Sequence, residues 1–187
     1  MAGFASVAQA MVAVESLLKR TIPADLGSVA LLPSGDIKKP ASNRLGLWVH
    51  RITVDLNGRN RFLSSPPGSG LPPRPELPLN VHFLMMSWAT SGEAEIKLHA
   101  WGMQQLMSTP ELDISHLGAS DPEWDAEDSA QIVPEEMATE DLLRIWDALP
   151  SKYTLSSSWI LRTVRVTLPA PQGGPPVTAR LIKAGTR

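Results

Sequence analysis

Apolar side chains recur at Phe4, Val7, Met11, Val14 and Leu18, in steps of three and four, with Ala8 and Leu17 beside them. That spacing predicts an amphipathic helix over residues 4–20, stopped by Pro23 and Gly27. Ser28–Leu32 reads as a short strand closed by Pro33. From Leu45 to Leu56 the period changes to two: Trp48, His50, Ile52, Val54 and Leu56 share one parity, and Val49, Arg51, Thr53 and Asp55 the other. This predicts a strand with one buried and one wetter face, ended by the Asn57-Gly58 turn. Leu79–Thr90 is apolar on both parities near its centre (Phe83, Leu84, Met85, Met86, Trp88). A strand covered on both faces has this pattern, which places it centrally.

Ser91 is positioned to N-cap a helix over about Glu93–Met107, with Glu93 and Glu95 favourable near its positive end. Thr139 is expected to cap a second helix whose buried stripe is Leu142, Leu143, Ile145, Trp146 and Leu149, ended by Pro150. Leu155–Leu168 reads as a long strand; a turn at Pro169–Pro176 leads to a last short strand, Val177–Ile182. Two segments lack periodicity. Residues 58–78 hold six prolines, and residues 111–138 are irregular and acidic, with an acidic loop at 118–138 and one apolar patch at Gln131–Val133. Without a sustained βαβ alternation, the order predicts an α+β fold: an antiparallel or mixed sheet of about four to six strands, two to three helices packed on one side. Residues 1–168 are expected to form one domain, with 169–187 as an extension carrying the last strand.

Composition narrows the function classes. The 187 residues contain no cysteine, which excludes disulfides, thiolate metal sites and thiol catalysis. Six tryptophans stand against three phenylalanines and one tyrosine; an indole suits places where one edge is dry and its N–H reaches a partner, at core edges or interfaces. No run approaches the roughly 20 apolar residues of a membrane span. Met1–Ala13 has no basic stretch ahead of its apolar positions, so the expected location is cytoplasmic. The net charge of −2 conceals segregation: residues 120–141 carry nine acids and no base, while 142–187 carry seven bases and one acid. No segment interleaves dense Lys/Arg with aromatics, so nucleic acid is not an expected partner.

Catalytic signatures are missing. There is no phosphate-cradling Gly-rich loop ahead of Lys-Ser/Thr, no G-x-S-x-G elbow and no His-Glu-x-x-His. His50, His82 and His99 fall on predicted strands and a helix without local carboxylates, a pattern expected of structural imidazoles. The carboxylates from Asp121 to Glu136 read as a solvated face. No enzyme, metal or cofactor is expected.

The ordered segments nevertheless resemble a known family. Leu47-Trp48-Val49-His50-Arg51-Ile52 is followed by Arg59-Asn60, then by Leu77-Pro78-Leu79-Asn80-Val81-His82-Phe83-Leu84. Trp101-Gly102-Met103-Gln104-Gln105-Leu106 comes next, and then Leu143-Arg144-Ile145-Trp146-Asp147-Ala148-Leu149 before Tyr153-Thr154-Leu155-Ser156. From about residue 4 to 168 this order is similar to the cap or tube-terminator proteins of extracellular contractile injection systems, phage-tail-like particles. The resemblance implies a tail-terminator-like fold and a subunit of a homo-hexameric ring that caps the distal end of the inner tube and contacts the sheath. It implies assembly into a particle that leaves the cell. Arg59, Asn60 and Arg61 at the start of the Pro-rich loop are interface residues this reading selects, because a planar guanidinium suits carboxylates on a neighbour; Arg162 and Arg165 on the long strand are the others, lining a ring interior or else simply facing water. The alternatives are a small ligand-binding or enzymatic domain using His50, His82 or Arg51 in a cleft, and a soluble assembly chaperone.

Overall fold

The two-sided apolar run is strand β3 (Glu76–Trp88), buried without interruption from Val81 to Trp88. The computed structural model describes residues 3–56, 76–117, 124 and 129–168. Around β3 the described elements are α1 (Ala5–Thr21), β1 (Ser28–Leu31), β2 (Arg44–Val54), α2 (Gly92–Ser108), β4 (Glu111–Leu112), α3 (Ile114–Leu117), β5 (Ala130–Pro134), α4 (Thr139–Asp147) and β6 (Ser156–Thr167). They build one six-stranded mixed sheet in the order β1-β2-β3-β6-β5-β4. Only the β1–β2 pair is parallel. The α+β expectation holds, and β3 and β6 are the two central strands, but the helices expected on one side of the sheet lie on both faces.

A strand apolar on both faces must be covered on both. The front face carries α1, α2 and α3: Met11, Val14 and Leu18 of α1, Leu98 and Leu106 of α2, and Leu117 of α3 pack with Leu45, Leu47, Phe83, Met85, Trp159 and Leu161. The reverse face carries α4 and the segment after β1, where Trp146, Leu32 and Ile37 join Trp48, Leu84, Met86 and Trp88. Phe4, assigned by its spacing to the buried stripe of α1, is instead 90% exposed. Ser91 caps α2 as expected, its Oγ accepting from the Ala94 N–H at 3.2 Å. Thr139 does not cap α4; Ala138 holds the N-cap position and no side chain bonds there. Between 111 and 138 the short β4, α3 and β5 replace the expected irregular segment, too brief for either periodicity to register. The Val177–Ile182 strand lies outside the described residues.

Five of the six tryptophans are spent inside the chain, Trp101 being half-buried. Trp48, Trp88, Trp124, Trp146 and Trp159 are buried. Four indole N–H groups donate within the protein: Trp48 to Ser34 (3.0 Å), Trp124 to Gln9 (3.0 Å), Trp146 to Ser156 (3.2 Å) and Trp159 to Ser157 (2.9 Å). They close the core at its edges and are not the interface anchors that composition alone allowed.

His99 joins α2 to the central strands. Its Nδ1 lies 2.7 Å from Ser87 Oγ and its Nε2 3.0 Å from Ser157 Oγ. Burial depresses its pKa to about 4, the nearby Glu95 charge opposing. The unfolded chain takes up this proton near the ordinary value of 6.5, so stability from His99 is complete above that pH and declines as pH falls towards about 4. The loss amounts to about 3 kcal/mol. Urea unfolding at stepwise pH should show a shallower slope across this window for His99→Gln than for the parent chain. At Gly46 on β2, an added Cβ would lie 2.6 Å from Leu32 Cδ1 and 2.7 Å from Trp88 Cζ3. Gly46→Ala should therefore destabilise the fold by about 1–3 kcal/mol in the same assay.

Candidate functional site

The parity read from Trp48 to Leu56 breaks at one residue. Val49 pairs with Phe83 and Arg51 pairs with His82, so His50 is an extra residue in β2, a β-bulge. A bulge turns two successive side chains against one residue of the partner strand. Trp48, His50 and Arg51 consequently all lie on the reverse face around His82, with ring centroids 5.9 Å apart for Trp48–His50 and 6.2 Å for His50–His82. Beyond the bulge the parity is inverted. Ile52 and Val54 turn to the front face and Thr53 to the reverse.

A polar cluster centred on His82 results. His82 Nδ1 lies 2.8 Å from Glu135 Oε1 and its Nε2 lies 2.9 Å from Thr53 Oγ1. Arg51 donates to Glu135 Oε1 at 3.1 Å, and Ser158 donates to Oε2 at 2.6 Å. With Nδ1–H donating to the carboxylate, Nε2 is left to accept from the Thr53 hydroxyl. Glu135 comes from the acidic segment read as solvated, yet its side chain is only 13% exposed. Burial raises its pKa, but hydrogen bonds from Ser158 and His82 and the charges of His82 and Arg51 outweigh that, holding the carboxyl below the ordinary range. Burial pushes the His50 imidazole down, with Glu135 opposing.

Between this cluster and α4 lies a cavity of about 440 Å³ lined by His50, Arg51, Glu135, Glu136, Asp141 and Arg144 among others. His50 Nε2 is buried there without a hydrogen-bond partner. The two imidazoles do meet in space, but no group of three metal-ligating side chains forms among the described residues.

α4 covers only one end of the reverse face. At the other end, Thr53 pairs with Asn80, and Gln131 of β5 with Arg162 of β6. Leu161 and Val164 point into the front core. Alternation therefore puts Arg162 and Arg165 on the reverse face, Arg162 exposed and Arg165 half-buried opposite Pro78. The structure thus brings two of the sequence-selected residues onto one polar surface beside Arg51 that no described helix covers. Arg59, Asn60 and Arg61 lie outside the described residues. The His82–Glu135 pair was not selected by sequence, since its two members are 53 positions apart.

A family model described as the Pvc16 N-terminal domain matches residues 10–180. A search of the curated proteins finds no match. Two solved structures share the fold. The sheath/tube terminator of an extracellular contractile injection system, PVC, in its extended state superposes with a TM-score of 0.60 at 16% identity, covering 97% of this chain and 64% of that one. The tube-terminating cap of the anti-feeding prophage gives 0.59 at 16% identity, covering 94% and 60%. The chain thus spans somewhat less than two thirds of each terminator's length.

Removing Glu135 leaves His82 and Ser158 without their acceptor in a low-dielectric seam, so Glu135→Ala should cost about 2–3 kcal/mol. Arg51 is over half exposed, and solvent screens its ion pair. Arg51→Ala should therefore cost less than about 1 kcal/mol. Denaturant titration at pH 7 distinguishes the two.

Proposed function

We propose, from the premise that this chain belongs to the Pvc16 N-terminal domain family, that it is a structural subunit capping the distal end of the inner tube of a contractile injection particle. The observation that carries this reading is the likeness of nearly the whole chain to two terminators, 97% and 94% of its length. In this reading copies close into a homo-hexameric ring, one side of the ring meets the tube and its rim meets the sheath. Assembly takes place in the cytoplasm and the finished particle leaves the cell. Among the described residues no helix is long and apolar enough to cross a membrane.

A heterologous ring needs two different surfaces on each copy. The polar end of the sheet that no described helix covers, with Arg162 and Arg165, supplies one suited to carboxylates on a tube or sheath neighbour. Arg59, Asn60 and Arg61 are assigned to the same task.

The second reading, a ligand-binding or enzymatic domain, has one observation in its favour: His50, His82 and Arg51 do converge on a cavity. Their bonding state favours a structural role. Both nitrogens of His82 are engaged, Arg51 is held by Glu135, and only His50 Nε2 is left without a partner. Ser87 and His99 likewise stand at hydrogen-bond distance in a buried network, with the second ring nitrogen occupied by Ser157.

Co-sedimentation with assembled tubes tests the capping role. Binding at tube ends is expected, together with a discrete oligomer by light scattering at high concentration; a strict monomer that also fails to bind tubes refutes it. Arg162→Glu combined with Arg165→Glu should leave stability within about 0.5 kcal/mol and weaken tube or sheath binding roughly tenfold or more. Charge reversal at Arg59 and Arg61 should act in the same direction.

A further inference from the structure

α4 is held to the reverse face from two anchors, with a hollow under the turn between them. Ahead of the helix, the Glu135 N–H donates to the Ser158 carbonyl at 2.9 Å, and the Glu135 carboxylate accepts from Ser158 and His82. Near its end Trp146 is the helix's one buried residue, and its indole N–H donates to Ser156 at 3.2 Å. The stretch between these anchors is lightly held. No side chain caps the helix, and Thr139, Glu140 and Asp141 are exposed. Met137, Ala138 and Asp141 border the cavity of about 440 Å³ on the helix side.

On the sheet side stands His50. The bulge sets it against His82, ring centroids 6.2 Å apart, so the imidazole stays on the reverse face as long as the β2–β3 register stands. Its Nε2 is buried without a partner. That vacancy costs least while the ring is neutral, because the cation carries an N–H on both nitrogens and each needs an acceptor. The charged groups around the ring do not supply one. Arg51 on its own strand and His82 on β3 both disfavour a further positive charge. Glu135, at the end of β5, already accepts from Arg51, His82 and Ser158. Glu136 and, on α4, Asp141 and Arg144 also border the cavity, but Asp141 faces Arg144 at 3.8 Å. Of these three carboxylates only Glu135 draws the His50 pKa up, against the larger downward push of burial.

We infer that His50 is an acid-sensitive release for α4: a proton taken up there lifts residues 136–141 from the sheet while the strands stay paired. Opening lets water reach Nε2, and only the lightly held turn has to move. The sign follows from linkage. The closed form holds His50 below its ordinary value of 6.5 and the opened form restores that value. Closure is therefore complete above that pH and weakens as pH falls below it. The device belongs to the isolated chain and does not depend on the capping role.

Hydrogen exchange of the full chain, read by mass spectrometry and corrected for the intrinsic pH dependence of exchange, tests it. Between about pH 7.5 and about pH 5.5, peptides from 136–147 should lose protection by about three- to tenfold, the upper bound being that of one imidazole. His50→Gln, which cannot take the proton, should remove the loss, and His99→Gln should leave it in place. Arg51→Gln removes a charge that depresses His50, so it should shrink the loss; it decides the matter if His50→Gln does not fold. A loss that persists in His50→Gln, or that Arg51→Gln leaves at full size, overturns the device. So does a loss that vanishes in His99→Gln, which would mean that α4 opens only with the whole fold. Protection that is unchanged in acid also overturns it, as does protection that rises, with Glu136 or Asp141 closing onto the charged ring.

Discussion

The need to cover β3 on both sides governs the architecture. From Val81 to Trp88 it carries buried side chains on either face, and an apolar strand left half wet would forfeit about 1.5–3 kcal/mol for each large side chain. The front face is met by a helix layer in which Val14, Leu18, Leu98 and Leu106 are fully buried. The reverse face is met by α4 and the segment after β1, with Trp146 and Ile37 closing over Trp48 and Met86. Among the described residues this double coverage follows the apolar half of β3, and residues 76–80 are half-buried apart from the buried Pro78.

At the end of this double coverage stands the bulge at His50. It aims His50 and Arg51 at His82 together, and Glu135 arrives from the end of β5 to accept from the pair. Such a seam joins three strands and the start of the α4 segment through one carboxylate. A partly satisfied network of this kind is costly in low dielectric, and here every member except His50 Nε2 has its partner.

Periodicity revealed the long elements: α1, α2, α4 and the three long strands fall close to where the spacing places them. Its failures have identifiable causes. The bulge is invisible because Trp48, His50, Ile52 and Val54 keep an unbroken alternation in sequence, while the backbone inserts one residue that the alternation does not encode. β4 and α3, at two and four residues, are shorter than either period needs. Glu135 sits one position past Pro134 in an acidic run, and only the tertiary fold tells it from its solvated neighbours. Arg162 and Arg165 were legible as cations on a strand, though not the surroundings they face. Their common face required knowing that β6 shifts register against β3 between Leu79 and Val81.

The three long strands also have a mechanical meaning. Their ladder hydrogen bonds lie across the strand direction, and β3 is held to β2 and to β6 by ten paired positions on each side. A pull along the strands loads all of these pairs in shear at once, whereas a sideways pull at β4 meets only two before that strand peels away. The sheet is therefore stiff along one axis and yielding across it. A load delivered along β2, β3 and β6 meets far more pairs at once than one applied across the β4 flank, which would give way first.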